Sequence, residues 1–173
     1  MQSEMVYEGR RISVEVLSPA TGDDATRREV VRHPGAVAIV PVTDAGAIVL
    51  IRNHRVAVDR TLWELPAGTL EPGEPPEVAA TRELEEETGY RPTRVRRLAG
   101  FYASPGFLDE RITLFVADGL VHVGQRLEPG ERIEPVSVSL AETLAMIDDG
   151  RIEDGKTIAG ILLFDRARRV TPP

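Results

Sequence analysis

The stretch Gly68-Thr69-Leu70-Glu71-Pro72-Gly73-Glu74-Pro75-Pro76-Glu77-Val78-Ala79-Ala80-Thr81-Arg82-Glu83-Leu84-Glu85-Glu86-Glu87-Thr88-Gly89-Tyr90 decides how the chain is read. Pro75-Pro76 opens a helix and Gly89 closes it: proline suits a first turn, and glycine tolerates the backbone just past a last one. With about 100° between successive residues, Glu83, Glu86 and Glu87 fall on one arc, with Arg82 at its edge. Like charges at the Glu83/Glu87 spacing repel by about 0.2–0.5 kcal/mol in water, and by more on a partly buried face. A divalent cation reverses that sign, and hard carboxylate oxygens suit Mg²⁺ or Mn²⁺. Arg82 stands one turn before Glu86 and can hold its carboxylate. Ala80 and Leu84 lie together away from the acids, so Leu84 faces the core. Taken alone, the glutamates also fit a solvated acidic face, because glutamate is a good helix former.

Outward from this helix, strands come first, further strands follow it, and helices close the chain. Ile12, Val14 and Val16 alternate with polar neighbours, Ala20-Thr21-Gly22-Asp23-Asp24 reads as a turn, and a second short strand spans 28–32. Two apolar runs, 36–42 and 47–52, flank Thr43-Asp44-Ala45-Gly46 and read as a buried hairpin. Glu64-Leu65-Pro66-Ala67-Gly68 reads as a loop. Strands are expected at 95–102, 112–117 and 134–138, and closing helices at 140–148 and 156–168, where Ile158, Ile161, Leu162 and Ala167 recur at helical spacing. This order indicates a mixed α/β fold.

The 173 residues suit one domain, or one domain with a small appendage. Against 28 acidic residues stand 21 basic ones, a net charge of −7, the wrong sign for a protein that grips nucleic-acid backbones. An acidic protein that handles phosphates needs another source of positive charge, and bound metal is the obvious one. With no cysteine, disulfides, thiolate zinc sites and thiol nucleophiles are excluded. His33, His54 and His122 show no metal-ligand spacing. No apolar run approaches the roughly 20 residues that cross a bilayer, and no signal peptide opens the chain. The expectation is a cytoplasmic protein without membrane or nucleic-acid partners.

Gly68, Glu74, Arg82-Glu83-Leu84, Glu86-Glu87 and Gly89-Tyr90 match every fixed position of the pattern G-x5-E-x7-R-E-U-x-E-E-x-G-U, where U is a bulky apolar residue. The chain therefore resembles the Nudix hydrolases. The resemblance implies an α/β/α sandwich with a mixed sheet, preceded by a small N-terminal antiparallel sheet. Residues 1–34 would form a strand region for dimerisation and the substrate pocket, and residues 35–173 the hydrolase domain. It implies that Glu83 and Glu87 bind metal and that Glu86 is a further ligand or an acid–base group. The carbonyl of Ala67 would complete the shell, while Gly68, Glu74, Arg82 and Gly89 shape the site. Such an enzyme cleaves a nucleoside diphosphate linkage with Mg²⁺ or Mn²⁺.

Elements outside this box resemble the ADP-ribose pyrophosphatase branch. Pro105, in Ser104-Pro105-Gly106-Phe107-Leu108-Asp109-Glu110, stands where that branch has a proline. Arg52-Asn53-His54-Arg55 and Trp63-Glu64-Leu65-Pro66-Ala67-Gly68 are similar to its Arg-Gln-Tyr-Arg and Glu-Leu-Pro-Ala-Gly elements. Arg55 would reach a phosphate through its planar fork. Glu64, Pro105 and Glu110 would join it around the substrate, and Arg28 would stack on adenine. A loop glutamate serves as general base in similar enzymes, with Glu131 the first choice and Glu128 the second. The resemblance implies hydrolysis of ADP-ribose to AMP and ribose 5-phosphate by a homodimer. Other ADP-sugars or CDP-alcohols are the alternative substrates, and a non-catalytic nucleotide-binding regulator is the alternative class.

Overall fold

The computed structural model describes residues 2–19 and 27–170; the expected turn at 20–24 lies outside them. Three strands open the chain, β1 (Gln2–Glu8), β2 (Ser13–Ser18) and β3 (Arg28–Arg32), paired antiparallel in the order β1-β2-β3. The main body follows with β4 (Ala36–Pro41), β5 (Ala47–Arg55), β6 (Arg60–Glu64) and β7 (Ala67–Thr69). Next come helix α1 (Pro76–Thr88), β8 (Tyr90–Arg91), β9 (Arg94–Tyr102), β10 (Arg111–Asp118) and β11 (Val121–His122). Strand β12 (Ile133–Ser139) and helices α2 (Leu140–Asp148) and α3 (Gly155–Val170) close it.

Strands β7-β4-β10-β9 form a mixed sheet in which only β4 and β10 run parallel. A second sheet, β12-β5-β6, is antiparallel. Along β4, Val37 and Ile39 meet Ala79, Ala80 and Leu84 of α1, while Ala38 and Val40 belong to the core with Ile161 and Phe164 of α3. A strand covered on both faces has no polar side to show, which is why β4 reads as an unbroken apolar run. The mixed sheet lies between helices, in an α/β/α arrangement.

The apolar runs 36–42 and 47–52 do not form the expected hairpin. Their sole bridge is Val42 to Ile48; β4 pairs with β10 and β7, and β5 with β12 and β6. The Thr43–Gly46 turn carries the chain from one sheet into the other. Both runs are buried centrally, and central strands take partners from distant parts of the sequence that local pattern does not name. The expected loop at 64–68 also shrinks. Glu64 ends β6 and Ala67 begins β7, leaving only Leu65 and Pro66 between strands.

Candidate active site

Helix α1 is held at both ends as the sequence required. Pro76 occupies its first turn, and Gly89 adopts φ 74° with its N–H on the Glu85 carbonyl. Ala79, Ala80 and Leu84 are fully buried against the mixed sheet, which fixes the rotation of the helix. That rotation turns Glu83, Glu86 and Glu87 toward a cavity of ≈ 490 Å³, shared with Ala67, Gly68, Arg82, Glu128 and Glu131. Gly68 is what admits the acids so close to β7. A Cβ built there would sit 2.0 Å from the Glu83 carboxyl.

Arg82 organises the cluster from the side. Its Nε and Nη2 each donate to Glu74 at 2.9 Å, and Nη1 donates to Glu83 at 2.7 Å and to Glu86 at 3.1 Å. The hydrogen bond from Arg82 holds the Glu74 carboxyl below its ordinary range. Burial acts the other way on the inner acids. It pushes Glu83 up, against the pull of Arg82. It pushes Glu87, only 4% exposed, up to about 8, although the Ala67 N–H donates to its Oε2 at 2.9 Å. The charge of Glu131 raises both further.

One buried and one half-buried carboxyl, both pushed up by burial, stand with Glu86 and Glu131 and carry more acid than Arg82 answers. The donors are all oxygen, and a hard divalent cation fits them in type and in charge. Among the described residues no three acidic or imidazole groups already converge on a single point, because Arg82 draws Glu83 and Glu86 to itself.

A second cavity, of ≈ 690 Å³, adjoins the first and shares Arg11, Arg55, Ala67, Gly68 and Thr69 with it. Phe101, Tyr102, Glu110 and Lys156 line its far side. Arg55 stands at the junction, its guanidinium bound two-pronged to Glu64 at 2.7 and 2.6 Å. Glu64 is fully buried and also takes the Lys156 ammonium. Burial alone would raise this carboxyl, but the two cations outweigh it and hold it below the ordinary range. Lys156 pairs in turn with Asp154, and the Thr157 hydroxyl donates to Asp154 at 2.5 Å while accepting the Leu65 N–H at 2.8 Å. The start of α3 thus holds Glu64, and Glu64 aims Arg55.

The structure brings Glu83, Glu86, Glu87, Ala67, Gly68, Arg82, Arg55, Glu128 and Glu131 around one cavity, and Glu110 to its neighbour. Arg28, exposed on β3, and Pro105, exposed in the β9–β10 loop, line neither of the two within one chain. That loop is tied to β3: Val31 exchanges backbone hydrogen bonds with Phe107 and Asp109, and Arg32 joins Glu15 to Asp109. Sequence reasoning missed Arg10, Arg11 and Lys156 in the cavity walls. It also missed Glu85, 7% exposed, which Arg91 and Arg126 bind. The one local signal for the two hairpin arginines was a dibasic pair directly after Gly9, between two strands.

Acids gathered on one helix face, against a glycine-bearing strand of a mixed sheet, form a site of hard oxygen donors suited to a divalent cation. The NUDIX domain pattern matches residues 32–161, and the chain belongs to that family of hydrolases, which generally use divalent metal ions. The chain is 40% identical over 162 residues to ADP-ribose pyrophosphatase of Bacillus subtilis (strain 168), covering 91% of this chain and 87% of that one. It is 39% identical over 164 residues to the methanol dehydrogenase activator of Bacillus methanolicus, covering 93% and 89%. A crystal structure of an ADP compounds hydrolase superposes with a TM-score of 0.82 at 23% identity, covering 98% of this chain and 93% of that one, and shares the fold.

Proposed function

We propose that this enzyme hydrolyses the diphosphate of ADP-ribose, giving AMP and ribose 5-phosphate, with Mg²⁺ as its ion and Mn²⁺ as a substitute. The observation that carries the reading is the position of the acids. Glu83, Glu86 and Glu87 line the first cavity, and Glu83 and Glu87 stand against Gly68 and Ala67 of the wall common to both, so a ligand with a group at each end would set its diphosphate beside them. Glu83, Glu87 and the Ala67 carbonyl are assigned to the ion, with Glu86 beside them as ligand or acid–base group. The ion would supply charge neutralisation of the anhydride and a more acidic water.

The chain's own groups do the rest. Arg55, held by Glu64 through Nε and Nη2, is assigned to a phosphate oxygen through its remaining Nη1. Glu131, whose charge reaches Glu83 and Glu87, is assigned the proton of the attacking water. Glu128 is the second candidate. The water oxygen ends on one phosphorus, the bond from that phosphorus to the bridging oxygen breaks, and the bridging oxygen leaves on the other phosphate. Glu110 and Phe101 are assigned to the second cavity, around the rest of the substrate.

A panel of ADP-ribose, GDP-mannose and a CDP-alcohol, with Mg²⁺ and with chelator, tests this. ADP-ribose should turn over fastest, give AMP, and stop with chelator. Faster turnover of another diphosphate would move the substrate assignment, and chelator-insensitive turnover would remove the ion from the reading.

We also propose a homodimer built on residues 1–34. The family match begins at residue 32, so these strands stand outside nearly all of it. In that assembly Arg28 and Pro105, which line neither cavity of one chain, are assigned to contacts with the partner copy or with substrate held across it.

A further inference from the structure

We infer that Arg11, at the tip of the β1–β2 hairpin, is a diphosphate-binding residue, and that it reaches the anion by leaving an ion pair with Glu128. The inference rests on the reading that the junction of the two cavities receives a diphosphate. Two arginines belong to both cavity walls, Arg11 and Arg55. Arg55 is already engaged by both oxygens of buried Glu64. Arg82, on the acid side, is engaged by Glu74, Glu83 and Glu86. Arg55 keeps only Nη1 for an incoming anion, so the positive charge least engaged by the fold sits on the hairpin.

The hairpin is shaped to present it. The Gly9 N–H donates to the Ile12 carbonyl at 2.9 Å, closing a turn with Arg10 and Arg11 at its tip. Both side chains reach the first cavity, and Arg10 makes no ion pair among the described residues. Arg11 approaches Glu128 at 3.7 Å with side chains 69% and 59% exposed. A pair that loose and that wet contributes little, so exchanging the carboxylate for a diphosphate, with two charges over adjacent groups, is favourable. The same exchange frees the loop that carries Glu128 and Glu131. Arg10 flanks the site and adds long-range attraction.

Titration calorimetry with imidodiphosphate and Mg²⁺, a non-hydrolysable probe without any nucleoside, tests this. Arg11→Ala should weaken binding on the order of tenfold or more, the loss of a charge-assisted hydrogen bond. Arg11→Lys should recover part of it. Glu128→Gln should tighten binding a few-fold by releasing Arg11, and most of that gain should vanish in the Arg11→Ala background, which a merely structural arginine would not cause. The difference between wild type and Arg11→Ala should shrink at high salt. Equal binding by wild type and Arg11→Ala, or no binding by wild type at millimolar probe, overturns the inference. ADP-ribose turnover separates the two readings. A protein that binds imidodiphosphate through Arg11 but leaves ADP-ribose intact keeps this assignment and loses the substrate.

Discussion

At the scale of single residues, Glu87 and Glu64 are both buried carboxyls with opposite fates. Glu87 has one backbone N–H and no cation in contact, and burial lifts it to about 8. Its ionised form, the one a cation needs, is held at a cost. Glu87→Gln should therefore lower kcat on the order of a thousandfold, through lost charge stabilisation. The same change should leave the urea midpoint of chelated protein at pH 8 no lower than wild type; a clear drop would show that the carboxylate stabilises the fold. Glu64 is different because Arg55 and Lys156 already answer its charge. Its folded pKa lies below the ordinary 4.5, so the unfolded chain takes up the proton first as pH falls. The stability it contributes is complete above about pH 4.5 and is lost as pH drops through the depressed folded value. Glu64→Gln should cost about 2 kcal/mol at pH 7, less than a fully enclosed pair because Arg55 reaches solvent. At a pH well below 4.5 the gap in denaturant midpoint between the two proteins should be smaller than at pH 7. An equal gap at both pH values would remove Glu64 from the acid dependence.

At the scale of elements, two glycines flank α1 with different duties. A Cβ at Gly68 meets the movable end of Glu83, whereas one at Gly89 meets the Gln125 backbone N at 2.8 Å and needs φ 74°. Gly68→Ala should keep the melting temperature within a few degrees and lower kcat by about a hundredfold or more by displacing Glu83. Gly89→Ala should instead destabilise by roughly 1–2 kcal/mol, because a side chain there forces a left-handed backbone. If Gly68→Ala kept its activity, the close approach of Glu83 would have no catalytic meaning. Helix α1 was legible because its signals are local: proline, glycine and acids one turn apart. The strands β6 and β7 were not, since five- and three-residue strands are defined by partners across a sheet. The supposed hairpin misled for the same reason, as a run buried on both faces carries no mark of its neighbour. Glu83, Glu86 and Glu87 were readable from α1 alone. Arg11 and Lys156 were not, because only the folded chain sets them beside Arg55.

At the scale of the molecule, β1 is the unfinished part. All seven of its residues are exposed, among them Met5, Val6 and Tyr7 at 49%, 52% and 56%. Among the described residues it pairs with β2 alone, so its outer edge offers N–H and C=O groups with no partner strand there, and apolar side chains beside them. Natural edge strands are usually shortened, charged or covered, and a net charge of −7 guards against general aggregation without covering one edge. A second copy laid against this sheet answers the problem symmetrically. Sedimentation equilibrium at micromolar protein should give twice 19.0 kDa. Val6→Lys, which puts a charge on the exposed edge, should return the mass to one chain. Because the β1–β2 turn carries Arg10 and Arg11 into the cavity, that monomer should also show a raised KM, on the order of several-fold, with kcat changed less. A wild-type protein that sediments as one chain at tens of micromolar would leave β1 an ordinary open edge, and the hairpin arginines would then have to hold their place without a partner's support.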